Sequence, residues 1–319
     1  MRFKHTVHVL IDNFRVTYKL LVYILVVLII TAGVSAAIII PFLDRLSGVA
    51  AYEGLTGAFS EMFREILRGN LTNLSGYFEA IRTSFTDLMT YLGEHPTDLA
   101  LSAAGLALTM LVSDFFIGLG NYAACCVVND KMAMHANSPF IATLIKNLGK
   151  AALYSVIYVP ISFVYTSVCL VVLYLVLFVA LNGVWLLIQL FLFVVFMMLL
   201  VGLKMTFISD WLPAIICGKK SVTEGFRYSF TLKSGRPVST FSFYASSCVL
   251  ILSVNVLACV STFGAGLIIT VPMSFLYLIC YQLVNYCDNN DIKYFTDKRS
   301  IVKPEREKET SREQFLRGE

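Results

Sequence analysis

The chain has 319 residues, of which 57% are hydrophobic and 14% charged, and its formal net charge is +4. A soluble domain of average composition carries ~25% charged residues, so the ordinary soluble classes are excluded and the chain falls in the membrane class. The net charge is small, and its distribution along the chain tells more than its size.

Residues 1–19 are basic and partly amphipathic. Val7, Leu10, Ile11 and Phe14 recur at helical spacing, the pattern of a short helix lying in a membrane interface. Leu20 to Leu43 is the first predicted crossing. Val34-Ser35-Ala36 has the form of a signal-peptidase site, but an apolar core above about 20 residues exceeds the ~7–15 of a signal peptide, and an uncleaved anchor is expected. The polar stretch 44–98 follows, with eight acidic residues against Arg45, Arg64, Arg68 and Arg82. Phe59, Met62, Phe63, Ile66 and Leu67 share one helical face, and Leu74, Phe78, Ile81, Phe85, Leu88 and Leu92 share another. Gly69-Asn70 separates them, so the loop is predicted to hold two amphipathic helices, with a cap over the bundle as the expected role and a binding module as the alternative.

Leu99 to about Asn121 is the second crossing, and 122–150 reads as a polar connection ending in an amphipathic helix with Phe140, Ile141, Leu144, Ile145 and Leu148. From Ala151 to Leu203, 53 residues pass without Asp, Glu, Lys, Arg or His. One crossing takes ~20 apolar residues, so this run is two crossings turning at Asn182-Gly183. The third (151–180) contains Pro160, which is expected to kink it; the fourth runs from about Val184 to Ile208. In the connection 209–240, Ser221 and Glu224 have capping-box spacing before a helix expected over Val222–Leu232, which stops near Ser234-Gly235. Phe241–Val260 and Leu267–Tyr286 are the fifth and sixth crossings. The tail 288–319 is charged and nearly free of apolar runs, and disorder is expected there.

Twenty-one lysines and arginines fall on the side of the two termini and only the four arginines of 44–98 on the other. The positive-inside rule therefore predicts cytoplasmic termini and an extracytoplasmic helical loop. The basic, amphipathic segments 5–19, 138–150 and 221–236 each precede a pair of crossings. They suggest a threefold repeat of an elbow helix and a hairpin; a basic loop between any two hairpins would look similar. The fold class expected is all-α: a six-helix transmembrane bundle (residues 20–287) of three hairpins with cytoplasmic amphipathic elbow helices.

Asp114 is the sharpest single residue. It lies ~22 Å along a helix begun at Leu99, within the hydrocarbon, where a carboxylate is costly unless paired or neutralised. Lys204 and Asp210 lie toward the cytoplasmic end of the fourth crossing. Two readings stand: a proton or cation site of Asp114, Lys204 and Asp210, or one ion pair that sets helix register. Tyr158, Tyr165 and Gln189 are the candidate walls of a cavity near Asp114.

Catalytic chemistry finds no support in the residues. HExxH, GxSxG, GxxxxGK[ST] and GxGD are absent, and no CxxC spacing occurs among the eight cysteines. His5 and His8 lack the further ligands a metal would need. The cysteines read as small packing residues. No catalytic residue, metal, cofactor or nucleic-acid partner is expected. The expected partner is the lipid bilayer, together with other membrane proteins or a second copy of the chain.

The stretch Trp211-Leu212-Pro213-Ala214-Ile215-Ile216, followed by Glu224-Gly225-Phe226-Arg227-Tyr228-Ser229-Phe230-Thr231-Leu232-Lys233-Ser234-Gly235, resembles bacterial polytopic proteins similar to the membrane domain attached to some glycerophosphodiester phosphodiesterases. The resemblance covers about 25 residues plus the six-crossing layout. It implies a bacterial inner-membrane architecture, and it carries no catalytic residue across, because no phosphodiesterase domain is expected here. The function expected is an integral membrane protein without catalytic machinery that organises or partners other membrane components. The alternative is a small transporter with a cavity near Asp114.

Overall fold

The computed structural model describes residues 2–70, 74–181, 186–230, 237–297 and 300–303. In chain order the helices are α1 (Arg2–Asp12), α2 (Phe14–Leu46), α3 (Ala50–Leu67), α4 (Leu74–Glu94), α5 (Pro96–Met134), α6 (Phe140–Lys146), α7 (Leu148–Tyr174), α8 (Leu186–Ile208), α9 (Trp211–Ile216), α10 (Val222–Phe230), α11 (Pro237–Thr262) and α12 (Leu267–Asn289). A π-helical turn, Leu175–Ala180, extends α7. Six of the described helices are long and apolar enough to cross a membrane. The protein is an all-α, six-span integral membrane protein. A bilayer enforces this, because a helix satisfies its own backbone hydrogen bonds where water is absent.

The chain divides into two compact units, one of residues 1–27 and 114–319, the other Leu28–Ser113. In the second unit α3 and α4 pair with each other. Their seam is close at Gly54, where an added Cβ would lie 3.0 Å from Ser84 Oγ. Leu46, Leu88 and Leu92 form its small buried cluster, with Phe42, Tyr52 and Leu55 against them. The two amphipathic helices expected in 44–98 are present. The turn residues 71–73 lie outside the described residues, as do Asn182-Gly183 and the expected elbow end at 231–236.

The core of the larger unit gathers α1, the start of α2, the second half of α5, α9, α10 and α12. Trp211 is fully buried at its centre. Its indole N–H donates to the Val222 carbonyl oxygen at 2.8 Å. Phe226 (4.7 Å between ring centroids), Tyr154 (5.0 Å) and Tyr158 (6.1 Å) surround it. Gly225 allows α10 to come this near, since an added Cβ would sit 3.2 Å from Trp211 Cδ1 and 3.3 Å from its carbonyl oxygen.

Three boundaries differ from the sequence expectation. The second crossing does not end near Asn121: α5 continues to Met134, and Tyr122–Val128, assigned to a polar connection, is among the most buried stretches of the chain. The charges that mark a loop in the sequence are paired instead. Ser138 donates to Asp130 at 2.5 Å, and Lys131 pairs with Asp12 at 2.8 Å. The connection 209–240 likewise begins with α9, five of whose six residues are buried. Third, the start of the 288–319 tail is ordered. Tyr294-Phe295 pairs antiparallel with Ile301-Val302, and Tyr294 is buried with its hydroxyl donating to Asp288 at 2.8 Å. Paired side chains hold this short hairpin in a segment with no apolar run; 304–319 lies outside the described residues.

The first amphipathic segment is also built differently. It breaks at Asn13, so α1 covers Arg2–Asp12 and residues 14–19 already belong to the first span. Thr6, Val9 and Leu10 are buried, and α1 packs on α12, whereas Ile11 and Phe14 remain exposed. The short helices α1, α6 and α10 each precede a pair of spans, which is the expected order of elbow and hairpin. Two of the elbows break at an asparagine whose amide donates back one turn: Asn13 to the Val9 carbonyl at 2.9 Å and Asn147 to that of Thr143 at 3.0 Å. Gly118 and Gly120 serve close packing within α5. An added Cβ would lie 2.6 Å from Ser155 Oγ at the first and 2.5 Å from Tyr23 Cε1 at the second. Gly264, by contrast, is in a turn with φ +90°. Pro160 lies inside α7, which continues through it.

Candidate functional site

Asp114 sits near the midpoint of α5, whose 39 residues span roughly 58 Å at ~1.5 Å per residue. That is about twice the ~30 Å hydrocarbon layer, and Asp114 falls inside the candidate span Ala100–Met134. Its side chain is exposed on the protein surface. Lys204 on α8 is the cation that acts on it, and Asp114 acts on Tyr158 as well. Lys204 is half-buried and donates to Ser162 Oγ at 3.0 Å, with its Nζ 6.0 Å from the centroid of the Tyr165 ring. Tyr165 is fixed by donating to the Leu200 carbonyl at 2.8 Å. Tyr158 stacks on Tyr154 at 5.3 Å.

Asp114, Lys204, Tyr158 and Tyr165 therefore belong to one polar group, and Ser162 joins it. Sequence reasoning missed Ser162. The available signal was a hydroxyl one turn after Tyr158 in a charge-free run. Chemically the group puts one carboxylate within electrostatic range of one ammonium, with no ion pair between them among the described residues, and orients the ammonium with a hydroxyl. It can hold a proton or a small cation, or serve as a register-setting ion pair.

Two of the expected members lie elsewhere. Gln189 is 15 residues before Lys204 on the same helix, roughly 22 Å away at ~1.5 Å per residue. It is buried and donates to the Leu181 carbonyl at 2.7 Å, tying the start of α8 to the end of the preceding span. Asp210 belongs to a different network at the helix ends. Its Oδ1 accepts from Asn285 Nδ2 at 3.2 Å, and Asn285 is only 1% exposed. Arg2 donates to Asn285 Oδ1 at 2.7 Å and to Asn289 Oδ1 at 2.8 Å, and its Nε lies 3.4 Å from Asp288. Tyr294 bonds Asp288, and His5 Nδ1 lies 3.0 Å from the Tyr294 hydroxyl. Burial, with Asp288 beside it, pushes the Tyr294 phenol well above its ordinary range. This second network joins α1, α9, α12 and the terminal hairpin. It was not legible because Arg2 and Asn285 are 283 positions apart.

All eight cysteines are free thiols, four of them buried. Cys217 donates to Asn129 Oδ1 at 3.0 Å. Among the described residues no group of three or more His, Cys, Asp or Glu side chains is arranged to hold a metal ion. No family model matches the sequence, and no curated protein or solved structure matches it either.

Proposed function

We propose that this membrane protein organises or partners other membrane components and carries no catalytic machinery, with both termini in the cytoplasm of a bacterial plasma membrane. The observation that carries the reading is the α3–α4 hairpin. The two helices pair, yet α3 buries no residue, and Phe63 and Leu67 remain 62% and 74% exposed. Scattered apolar residues on a surface need no explanation, but Phe59, Phe63, Ile66 and Leu67 form one stripe, which is the mark of an interaction surface. The asymmetry of lysine and arginine supports the orientation, and the missing catalytic motifs support the absence of catalysis. The succession of α9 and α10 supports keeping the glycerophosphodiesterase-type membrane domain as the architectural parallel.

A photo-crosslinking residue at Phe63, activated in native membranes, tests the partner reading. A protein adduct of one defined mass that disappears in Leu67→Glu is expected; crosslinks to lipid alone would overturn it. Labelling of a single cysteine at 67 from outside the cell, and at 301 only after permeabilisation, is expected from the orientation.

The polar group around Asp114 favours a second reading, a small transporter. Single cysteines at 110, 114 and 204 in a cysteine-free background separate the two. Reaction of 110 and 114 with an impermeant thiol reagent would favour an aqueous pathway, and reaction of 204 alone would leave a structural ion pair.

A further inference from the structure

We propose that the junction of α1 and α2 is a binding site for the phosphate of an anionic phospholipid. A cavity of about 590 Å³ opens there, lined by Ile11, Asp12, Phe14, Arg15, Lys131, His135 and Asn137. Phe14 begins the first span and Met134 ends the second. The cavity therefore lies where two candidate spans end, whichever side of the bilayer it faces.

The charges in its wall are unequal in availability. Lys131 is committed: it pairs with the Asp12 carboxylate at 2.8 Å and also donates to the Asp12 backbone carbonyl. Arg15 takes part in none of the ion pairs found among the described residues, and its side chain is exposed. Two cations thus face one carboxylate, and the guanidinium left over is the group best suited to hold phosphate through two parallel N–H donors. The exposed Asn137 amide adds a neutral donor. His135 fixes the back wall. Its backbone is left-handed (φ 52°), its ring lies 4.0 Å from that of Phe295, and its Nε2 is buried without a hydrogen-bond partner among the described residues.

The apolar part of the wall favours a lipid over a soluble phosphate. Ile11 is 66% exposed, and Phe14, Tyr18, Val22 and Val26 are exposed at every fourth position of α2. Residues four apart lie on one face of a helix, so an apolar track leads from the cavity along the span. Phe14 and Tyr18 pack edge to face at 5.5 Å along it. A phosphate in the cavity with an acyl chain on this track satisfies both halves of the wall.

Native mass spectrometry of the detergent-purified full chain, titrated with dioleoylphosphatidylglycerol or dioleoylphosphatidylcholine, tests the assignment. At least fivefold preferential retention of the anionic lipid is expected. Arg15→Gln should remove that preference, and Lys19→Gln, a neighbouring exposed cation outside the cavity, should change it less than twofold. Asn137→Asp brings a negative charge to the rim at an exposed position and should also remove it, which provides a second variant if Arg15→Gln folds poorly. Equal retention of the two lipids, or equal losses in Arg15→Gln and Lys19→Gln, would overturn the site. Displacement of the lipid by millimolar inorganic phosphate would reassign the cavity to a soluble anion and overturn the lipid.

Discussion

Helices α9 and α3 both lie between long apolar spans, and their fates are opposite. The six-residue α9 buries all but one of its residues, and the 18-residue α3 buries none. The difference lies in what meets them. Trp211 of α9 is enclosed by three aromatic rings, and Gly225 leaves α10 space to close over it. In α3 the stripe of Phe59, Phe63, Ile66 and Leu67 is left exposed. An apolar stripe in a sequence states that a helix has something to cover. It does not state whether the chain itself supplies the cover.

The comparison breaks most visibly at Trp211. Trp211→Ala should cost ~3–5 kcal/mol, as for a large aromatic truncated in a packed core, and should remove the indole donor from the Val222 carbonyl. Leu67→Ala should stay within ~0.5 kcal/mol, as for exposed positions. Thermal unfolding of both variants in one detergent checks this; equal losses would remove the distinction between the two helices.

Glycines sharpen it next. At Gly225 an added Cβ would meet Ile215 Cγ1 at 3.0 Å, whereas Gly57 in α3 has open space around it. Gly225→Val should destabilise by ~1–3 kcal/mol through overpacking. Gly57→Ala should stabilise by up to ~1 kcal/mol, because alanine is the better helix former. A rise in unfolding temperature for one and a fall for the other is the expected outcome.

The Arg2 network comes third. Arg2→Ala leaves the buried Asn285 carbonyl oxygen without its donor, a cost of ~1–3 kcal/mol. Faster hydrogen exchange in α1 and in residues 294–302, with α3 unchanged, is the measurable sign.

The smallest effect concerns helix starts. Ser221 and Glu224 exchange two bonds, the Ser221 N–H to Glu224 Oε2 at 3.0 Å and the Glu224 N–H to Ser221 Oγ at 3.2 Å. Ser221→Ala should weaken α10 by ~1 kcal/mol. The hydrogen bonds from the Ser221 backbone, then its side chain, hold the Glu224 carboxyl below the usual range. Its contribution is therefore complete above the unfolded glutamate pKa and is lost as pH falls through the lower folded value. Hydrogen exchange of the first turn of α10 should accelerate on acidification. The first turn of α3, which starts at Val49 without a side-chain cap, is the control.

Much of this was readable beforehand, and the errors share a cause. The capping box at Ser221 and the two amphipathic helices of 44–98 follow from local spacing. Asp130 and Lys131 mark a loop by their charge, but α5 carries them on, with Asp130 accepting from Ser138 and Lys131 paired with Asp12. Asp210 was grouped with Lys204 by proximity in the chain, and its partner proved to be Asn285 on another helix.

The sequence by itself determined the membrane class, the six spans and the two amphipathic helices, because the energetic cost of exposing peptide groups and charges to hydrocarbon acts on each segment separately. Only the tertiary structure decided which polar residues meet. Arg2 with Asn285, Asp12 with Lys131 and Tyr294 with Asp288 depend on how helices far apart in the chain are packed, and no local periodicity records that.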